Sequence, residues 1–265
     1  MEIAAIGLPV PETAWTGRVH SVFKSSVNLM EEGGVLLCVH RFDFGVLPGS
    51  YYVPRLDTSG IRPGDRVRGG PEGLWIGGLG LALAPGAERV DTAILPSGRE
   101  VDPEAWRACR AALERRSRDR EAGEMIEELY RRLRRNMIKL RKGLKEGNQE
   151  EAGRQCREMV GLGQGLTPTG DDMLLGALAA LHMYRPELAG ALGQAIAPLL
   201  ERTNDISRSY LGWARRGRAA TPVVRALSGL ASGDMSGAEA LLGIGHSSGG
   251  DILEGMLFMT EQRER

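Results

Sequence analysis

Up to about residue 101 the apolar positions fall in short runs: RVHSVF, GVLLCVH, SYYVPRL, RVRGG, LWIGGLGLALA and RVDTAIL. Gly-Gly, Pro-Gly and Ser-Gly pairs separate them. Short β-branched or aromatic runs between turn residues predict strands, and a series of them predicts a small barrel or sandwich. The pattern changes at VDPEAW. Asp102 stands where a helix cap belongs and Pro103 where the first helical residue belongs. Helical spacing then continues to the C-terminus. Leu129, Leu133, Met137 and Leu140 form a stripe, Asn148 caps a helix ending at Val160, and further helices are expected near 170–184, 187–201, 204–215, 219–231, 236–242 and 249–262. The chain is therefore read as α+β, a β-rich domain over 1–101 followed by an α-helical domain over 102–265.

The segment 103–145 is rich in both Arg and Glu. Glu127 with Arg131 and Glu128 with Arg132 have the favourable i,i+4 order, so these arginines read as a solvated face laced with ion pairs rather than a phosphate surface. Lys plus Arg equals Asp plus Glu at 34 each, which argues against a whole-surface nucleic-acid or membrane binder. The longest apolar run, MLLGALAAL, is far shorter than the ~20 residues a membrane span requires. Cys38, Cys109 and Cys156 are odd in number and widely spaced, which suits a reducing compartment. The N-terminal MEIAAIGLPVPETAW lacks the pattern of a signal peptide, and a cytoplasmic location is expected.

One device occurs twice. TGDDMLLG at 169–176 and SGGDILEG at 248–255 share hydroxyl, Gly, x, Asp, apolar, Leu, x, Gly, and each follows a Gly-x-Gly. Thr169 with Asp172, and Ser248 with Asp251, have the capping-box spacing, which is a sufficient structural reason for those four residues. Gly176 and Gly255 lie one helical turn beyond the aspartates. Glycine there costs about 1 kcal/mol relative to alanine, so close packing of the two helices is expected, with both N-termini on one cleft.

The caps leave a surplus, Gly163, Gly165, Thr167 and Asp171 in the first motif and His246, Ser247 and Gly249 in the second, and Thr169, Gly170, Asp172, Ser248 and Asp251 beside them are further candidate substrate-binding residues. Glycines in succession can turn backbone amides into an anion-binding concavity, and a helix N-terminus adds free N–H groups. Hydroxyls and an imidazole add donors. The pattern suits phosphate, carboxylate or carbamoyl groups, with Asp171 or His246 as candidate proton acceptor. Asp171 also has a plain reading, as a solvated acid of the first turn. Mg2+ held by Asp171 and Asp172 is a weaker alternative, because neighbouring helical residues point about 100° apart. RVHSVFKSSVNL adds His20, Ser21, Lys24 and Asn28, either at an interdomain cleft or on an exposed strand face. Thr203, Asn204 and Ser207 either line the same cleft or start a helix, and Arg208, one residue further on, is a candidate anion clamp.

GLGQGLTPTGDDMLLG resembles the signature of a bacterial family that includes the AllH subunit of oxamate carbamoyltransferase. GRVHSVFKSSVNL, TNDISRSYLGWARRG and GIGHSSGGDILEG are similar to the same family, so the resemblance covers most of the chain. Gln164 stands where members usually have Pro, and Thr169 where many have Ser. The resemblance implies carbamoyl transfer between carbamoyl phosphate and oxamate, giving oxalurate and phosphate, in a complex with two other subunits. It establishes no catalytic residue. The competing reading is a non-catalytic anion-binding or assembly subunit. A polar pocket of convergent donors favours the first, an exposed apolar patch beside the loops the second.

Overall fold

The computed structural model describes residues 1–118 and 123–261, in two compact units, Met1–Thr92 and Ala93–Arg265. The first is a closed barrel of eight strands: β1 (Glu2–Leu8), β2 (Trp15–Val22), β3 (Ser26–Glu31), β4 (Leu36–His40), β5 (Ser50–Tyr52), β6 (Arg66–Gly70), β7 (Gly73–Ile76) and β8 (Leu79–Asp91). Around the barrel they run β1-β5-β4-β3-β2-β6-β7-β8, antiparallel except for β1 with β8 and β4 with β5. Closure leaves no strand edge unpaired. Ile3, Val27, Leu29, Val39, Val53, Leu74 and Ile76 fill the interior. The barrel also uses two strands, β1 and β3, whose sequences EIAAIGL and SVNLME show no clean alternation.

The second unit holds nine α-helices among the described residues: α1 (Pro103–Arg118), α2 (Glu124–Lys145), α3 (Gln149–Met159), α4 (Thr169–Tyr184), α5 (Pro186–Ile196), α6 (Asp205–Arg215), α7 (Thr221–Ser232), α8 (Ser236–Leu242) and α9 (Ser248–Thr260). The Asp102 carboxylate caps α1 by accepting from Glu104 and Ala105 N–H. Asn148 and Asn204 cap α3 and α6 in the same way. The single helix expected at 187–201 breaks, because the chain tightens into a 3-10 turn over Ala197–Arg202. Pro198 has no N–H to continue the α ladder. The i,i+4 pairs expected on α2 are also replaced. Arg131 and Arg135 both reach Glu128, and Arg132 reaches across to Glu158 on α3.

At the centre, α4 and α9 are buried on nearly all sides. A Cβ on Gly176 would lie 1.9 Å from the carbonyl oxygen of Ile252, and one on Gly255 would lie 2.0 Å from that of Met173. The two helices thus meet backbone to backbone, each glycine against a carbonyl of its partner. Their first turns lie together, since Thr167 Oγ1 and Ser248 Oγ are 2.9 Å apart. No helix among the described residues is long and apolar enough to cross a membrane.

Either Gly176→Ala or Gly255→Ala must push the helices apart. Each is expected to cost about 1–3 kcal/mol or more in urea unfolding, far outside the gain that alanine brings to a helix. A neutral result would remove the backbone contact as the organising feature.

Candidate functional site

The expected capping boxes do not form. The residue before α4 is Pro168, and neither Pro168 nor Ser247 makes a side-chain cap. Pro168 brings its own fixed φ, and its carbonyl accepts from both Asp171 and Asp172 N–H. Thr169 and Ser248 become the first helical residues, and Asp172 and Asp251 move one place deeper into their helices. The aspartates are then released from capping and turn toward the helix crossing.

Asp171 is 1% exposed and fully engaged. Its Oδ1 accepts from Gly161 N–H at 2.8 Å, and its Oδ2 accepts from Thr203 and Ser207 hydroxyls at 2.5 and 2.7 Å. It ties the glycine loop to the start of α6. Asn204 caps that helix, and Arg208 is spent on Leu200 O, Glu201 and Asp205. Gly163 and Gly165 take left-handed φ values of 129° and 93°, and no hydrogen bond engages either amide among the described residues. Gly170 and Gly249 have a packing reason: a Cβ would strike Met159 O in the first case and Leu241 O in the second. The N–H groups of these two glycines bond to equivalent carbonyls, Leu162 and Ile244, so the repeat read in the sequence extends to the backbone.

Asp172 and Asp251 are 3% and 2% exposed. Burial drives the Asp172 carboxyl well above the usual carboxylate range, and the nearby charges of Asp251 and Asp171 push the same way. The hydroxyls of Thr167 and Ser248 face this carboxyl and pull in the opposite direction without prevailing. Asp251 Oδ1 accepts from Tyr130 Oη at 2.6 Å. An acid that burial disposes to keep its proton therefore sits beside a second, tyrosine-bonded carboxyl where two helix N-termini meet. His246 and Ser247 flank this centre on the second loop, with His246 exposed.

Beside Asp251 opens a groove of about 810 Å³ between α1, α2 and α9. Arg110, Arg116, Arg131, Arg134 and Arg135 line it, with Tyr130, Gly250 and Glu254 and the acids Glu114 and Glu127. Glu254, 2% exposed, accepts from Arg134 Nε at 2.5 Å and Nη2 at 3.4 Å and has Arg110 Nη1 3.9 Å away. Arg110 is further held over the Trp106 and Phe258 rings. Arg116 donates to the carbonyls of Gly245 and His246. The sequence reading missed this cluster because acids are interleaved with the arginines on α2. One signal was available: Glu254 stands alone in the apolar run ILEGMLFM, and a buried acid demands a cation.

The remaining candidates belong to the barrel unit. His20 Nδ1 lies 3.1 Å from Ser21 Oγ, and buried Asn28 donates to the same hydroxyl at 3.0 Å. The β2–β3 register slips between Val19 and Ser21, and that bulge allows adjacent side chains to meet. The three cysteines are free and buried. Among the described residues no cluster of three or more His, Cys, Asp or Glu is placed to hold a metal.

Residues 159–260 match the family described as oxamate carbamoyltransferase subunit AllH, and residues 7–89 match the AllH family N-terminal domain. The chain belongs to the AllH family. No solved structure matches it.

The state of Asp172 sets a pH dependence. Its folded value is raised above the ~3.9 of an unfolded aspartate. Below ~4 both states hold the proton and the native state is not penalised. As pH rises, only the unfolded chain releases it, and stability falls by about 1.4 kcal/mol per pH unit until the folded value is reached. Asp172→Asn should remove that part of the decline when urea stability is measured from pH 4 upward. Parallel curves for the two proteins would show that Asp172 is ionised in the fold.

Proposed function

We propose that this chain is the AllH-type subunit of an oxamate carbamoyltransferase, contributing to the exchange between carbamoyl phosphate plus oxamate and oxalurate plus phosphate in a catabolic complex. We place it in the cytoplasm, bound to partner subunits. The observation that carries the reading is the meeting of the two glycine-loop helix starts over Asp172 and Asp251, with Thr167 and Ser248 hydroxyls 2.9 Å apart. Both substrates are anions with planar amide groups, and the site offers hydroxyls, helix-start amides and arginines to such groups.

In the direction of synthesis the oxamate nitrogen attacks the carbamoyl carbon, the bond to the phosphate oxygen breaks, and the nitrogen loses a proton. In reverse, phosphate attacks oxalurate and the departing oxamate nitrogen gains one. A buried carboxyl held neutral can supply that proton, which gives Asp172 the acid–base role, with Asp251 accepting from Tyr130 beside it. His246 is the alternative proton carrier from the loop. Asp171 takes a positioning role, since its oxygens already hold Gly161, Thr203 and Ser207. Thr167, Ser247, Ser248 and the amides of Gly163 and Gly165 would orient the carbamoyl and carboxylate groups. His20 and Asn28 stay in the proposal as substrate-binding candidates from the barrel.

The test is reconstitution with partner subunits, following phosphate-dependent cleavage of oxalurate. Asp172→Asn is expected to lower kcat by about 10²-fold or more. Asp171→Asn should act first on stability, by leaving the Thr203 and Ser207 hydroxyls without their acceptor. No oxalurate cleavage or formation by a complex containing the native chain would overturn the reading. Full turnover with Asp172→Asn would remove that residue from the chemistry.

A further inference from the structure

The two motifs differ at four positions, and at two of them the residue of the second motif lines the arginine groove. Where the first motif has Asp171 the second has Gly250, and where the first has Leu175 the second has Glu254. In the first motif the Asp171 carboxylate fills a pocket of donors beside the helix start. In the second motif that carboxylate is missing. A Cβ on Gly250 would make ordinary van der Waals contact with Leu113 Cδ1 at 3.5 Å and with Arg116 Nε and Leu242 Cδ2 at 3.9 Å, so the place beside the helix start is not blocked and lies against Arg116. Arg116 Nε is sealed from bulk water there and has no hydrogen-bond partner. An orphan buried donor of this kind has lost its hydration without replacement, which an arriving acceptor would restore.

Charge points the same way. Arg110 and Arg134 are fixed by a single buried carboxylate, Glu254, while Arg116 is anchored by two carbonyls, which do not neutralise it. Five arginines thus share the groove with four acids, Glu114, Glu127, Asp251 and Glu254, beside the first turn of a 13-residue helix, and among the described residues Arg116 has no ion pair. Guanidinium groups suit oxyanions because their paired N–H donors match two oxygens at once.

We propose that this groove is a substrate-docking site in which an oxyanion of the ligand, phosphoryl or carboxylate, occupies the place beside Gly250 that Asp171 fills in the first motif, held by Arg116 with Arg110 and Arg134. The identification of that ligand as a substrate rests on the carbamoyltransferase reading; the site itself does not. The groove is the side from which a ligand reaches Asp251, whose partner Tyr130 also lines it. Arg110, Arg116 and Arg134 then become binding residues.

Calorimetric titration of the full chain at fixed ionic strength tests it, with inorganic phosphate in one arm and oxamate in the other. Binding of phosphate alone assigns the site to the phosphoryl group, binding of oxamate alone to the carboxylate, and binding of both to either end. Arg116→Gln should weaken binding about tenfold or more, the loss of one charge-assisted hydrogen bond. Arg132→Gln removes an equal charge from a residue bonded to Glu158 outside the groove, and should leave affinity within about twofold, as for a screened surface charge. Gly250→Asp supplies the missing carboxylate from the chain itself. It should abolish binding and raise the melting temperature of the ligand-free protein. Absence of binding in both arms, or native affinity in either Arg116→Gln or Gly250→Asp, overturns the proposal. Ligand binding by the chain together with an inactive reconstituted complex would leave the site standing and remove the carbamoyltransferase reading.

Discussion

The arrangement of the helical unit depends on the close approach of α4 and α9. Two backbone carbonyls, Ile252 O and Met173 O, occupy the places where Gly176 and Gly255 would carry a side chain. Such a contact replaces side-chain interdigitation with carbonyl-to-Cα packing, a weak attraction that is available only where both helices come very near. The cost of a mid-helix glycine is offset by the apolar surface that the pair can bury: Met173, Leu174, Leu253 and Met256 are all shut from solvent. The same approach carries Asp172 and Asp251 into a space with little water. The raised proton affinity of Asp172 is thus a consequence of how the helices pack, and not an added feature.

Near-symmetry explains much of the rest. Gly170 and Gly249 press on the ends of α3 and α8, and their amides bond to carbonyls three residues beyond those contacts, although the first loop is longer. Two similar helix starts could have produced two similar faces. They do not, because Asp171 knits the first to α6 through Thr203 and Ser207, while Gly250 leaves the second without a carboxylate there and Glu254 gathers arginines around it. One half of the device is committed to holding the fold, and the other half is left facing a groove.

This division also sets what the sequence could reveal. Strand runs, helix periods and the Asp102, Asn148 and Asn204 caps are local patterns, and they could be read residue by residue. The packing at Gly176 and Gly255 was legible because the glycines recur at the same place in two motifs. The capping boxes misled because Thr169 and Ser248 have the right spacing for two roles, and Pro168 decides between them by starting α4 one residue early. The groove was hidden for a different reason. Tyr130 meets Asp251 and Arg134 meets Glu254 across 121 and 120 residues of chain, distances over which no periodicity operates. An Arg/Glu-rich helix reads as a solvated surface until its partner face is known.

The pairing of a neutral acid with a guanidinium groove has a chemical logic that neither part has alone. On the proposed reading the ligands are carbamoyl phosphate, oxamate and oxalurate, all anions, which an ionised carboxylate at the reacting nitrogen would repel. Burial at the helix crossing eases that repulsion by favouring the protonated form of Asp172, at the expense of stability above the ordinary aspartate range. Arginines cannot play this part at the buried centre, because they hold their charge and would need their own counter-ions. Placed on the groove wall instead, and anchored by Glu254 and by carbonyls, they can draw in the anionic end of a ligand while its uncharged amide end points toward the acid pair. On the proposed reading, charge recognition and proton transfer are separated in space, and Asp251 with its Tyr130 hydrogen bond is the residue where the two meet.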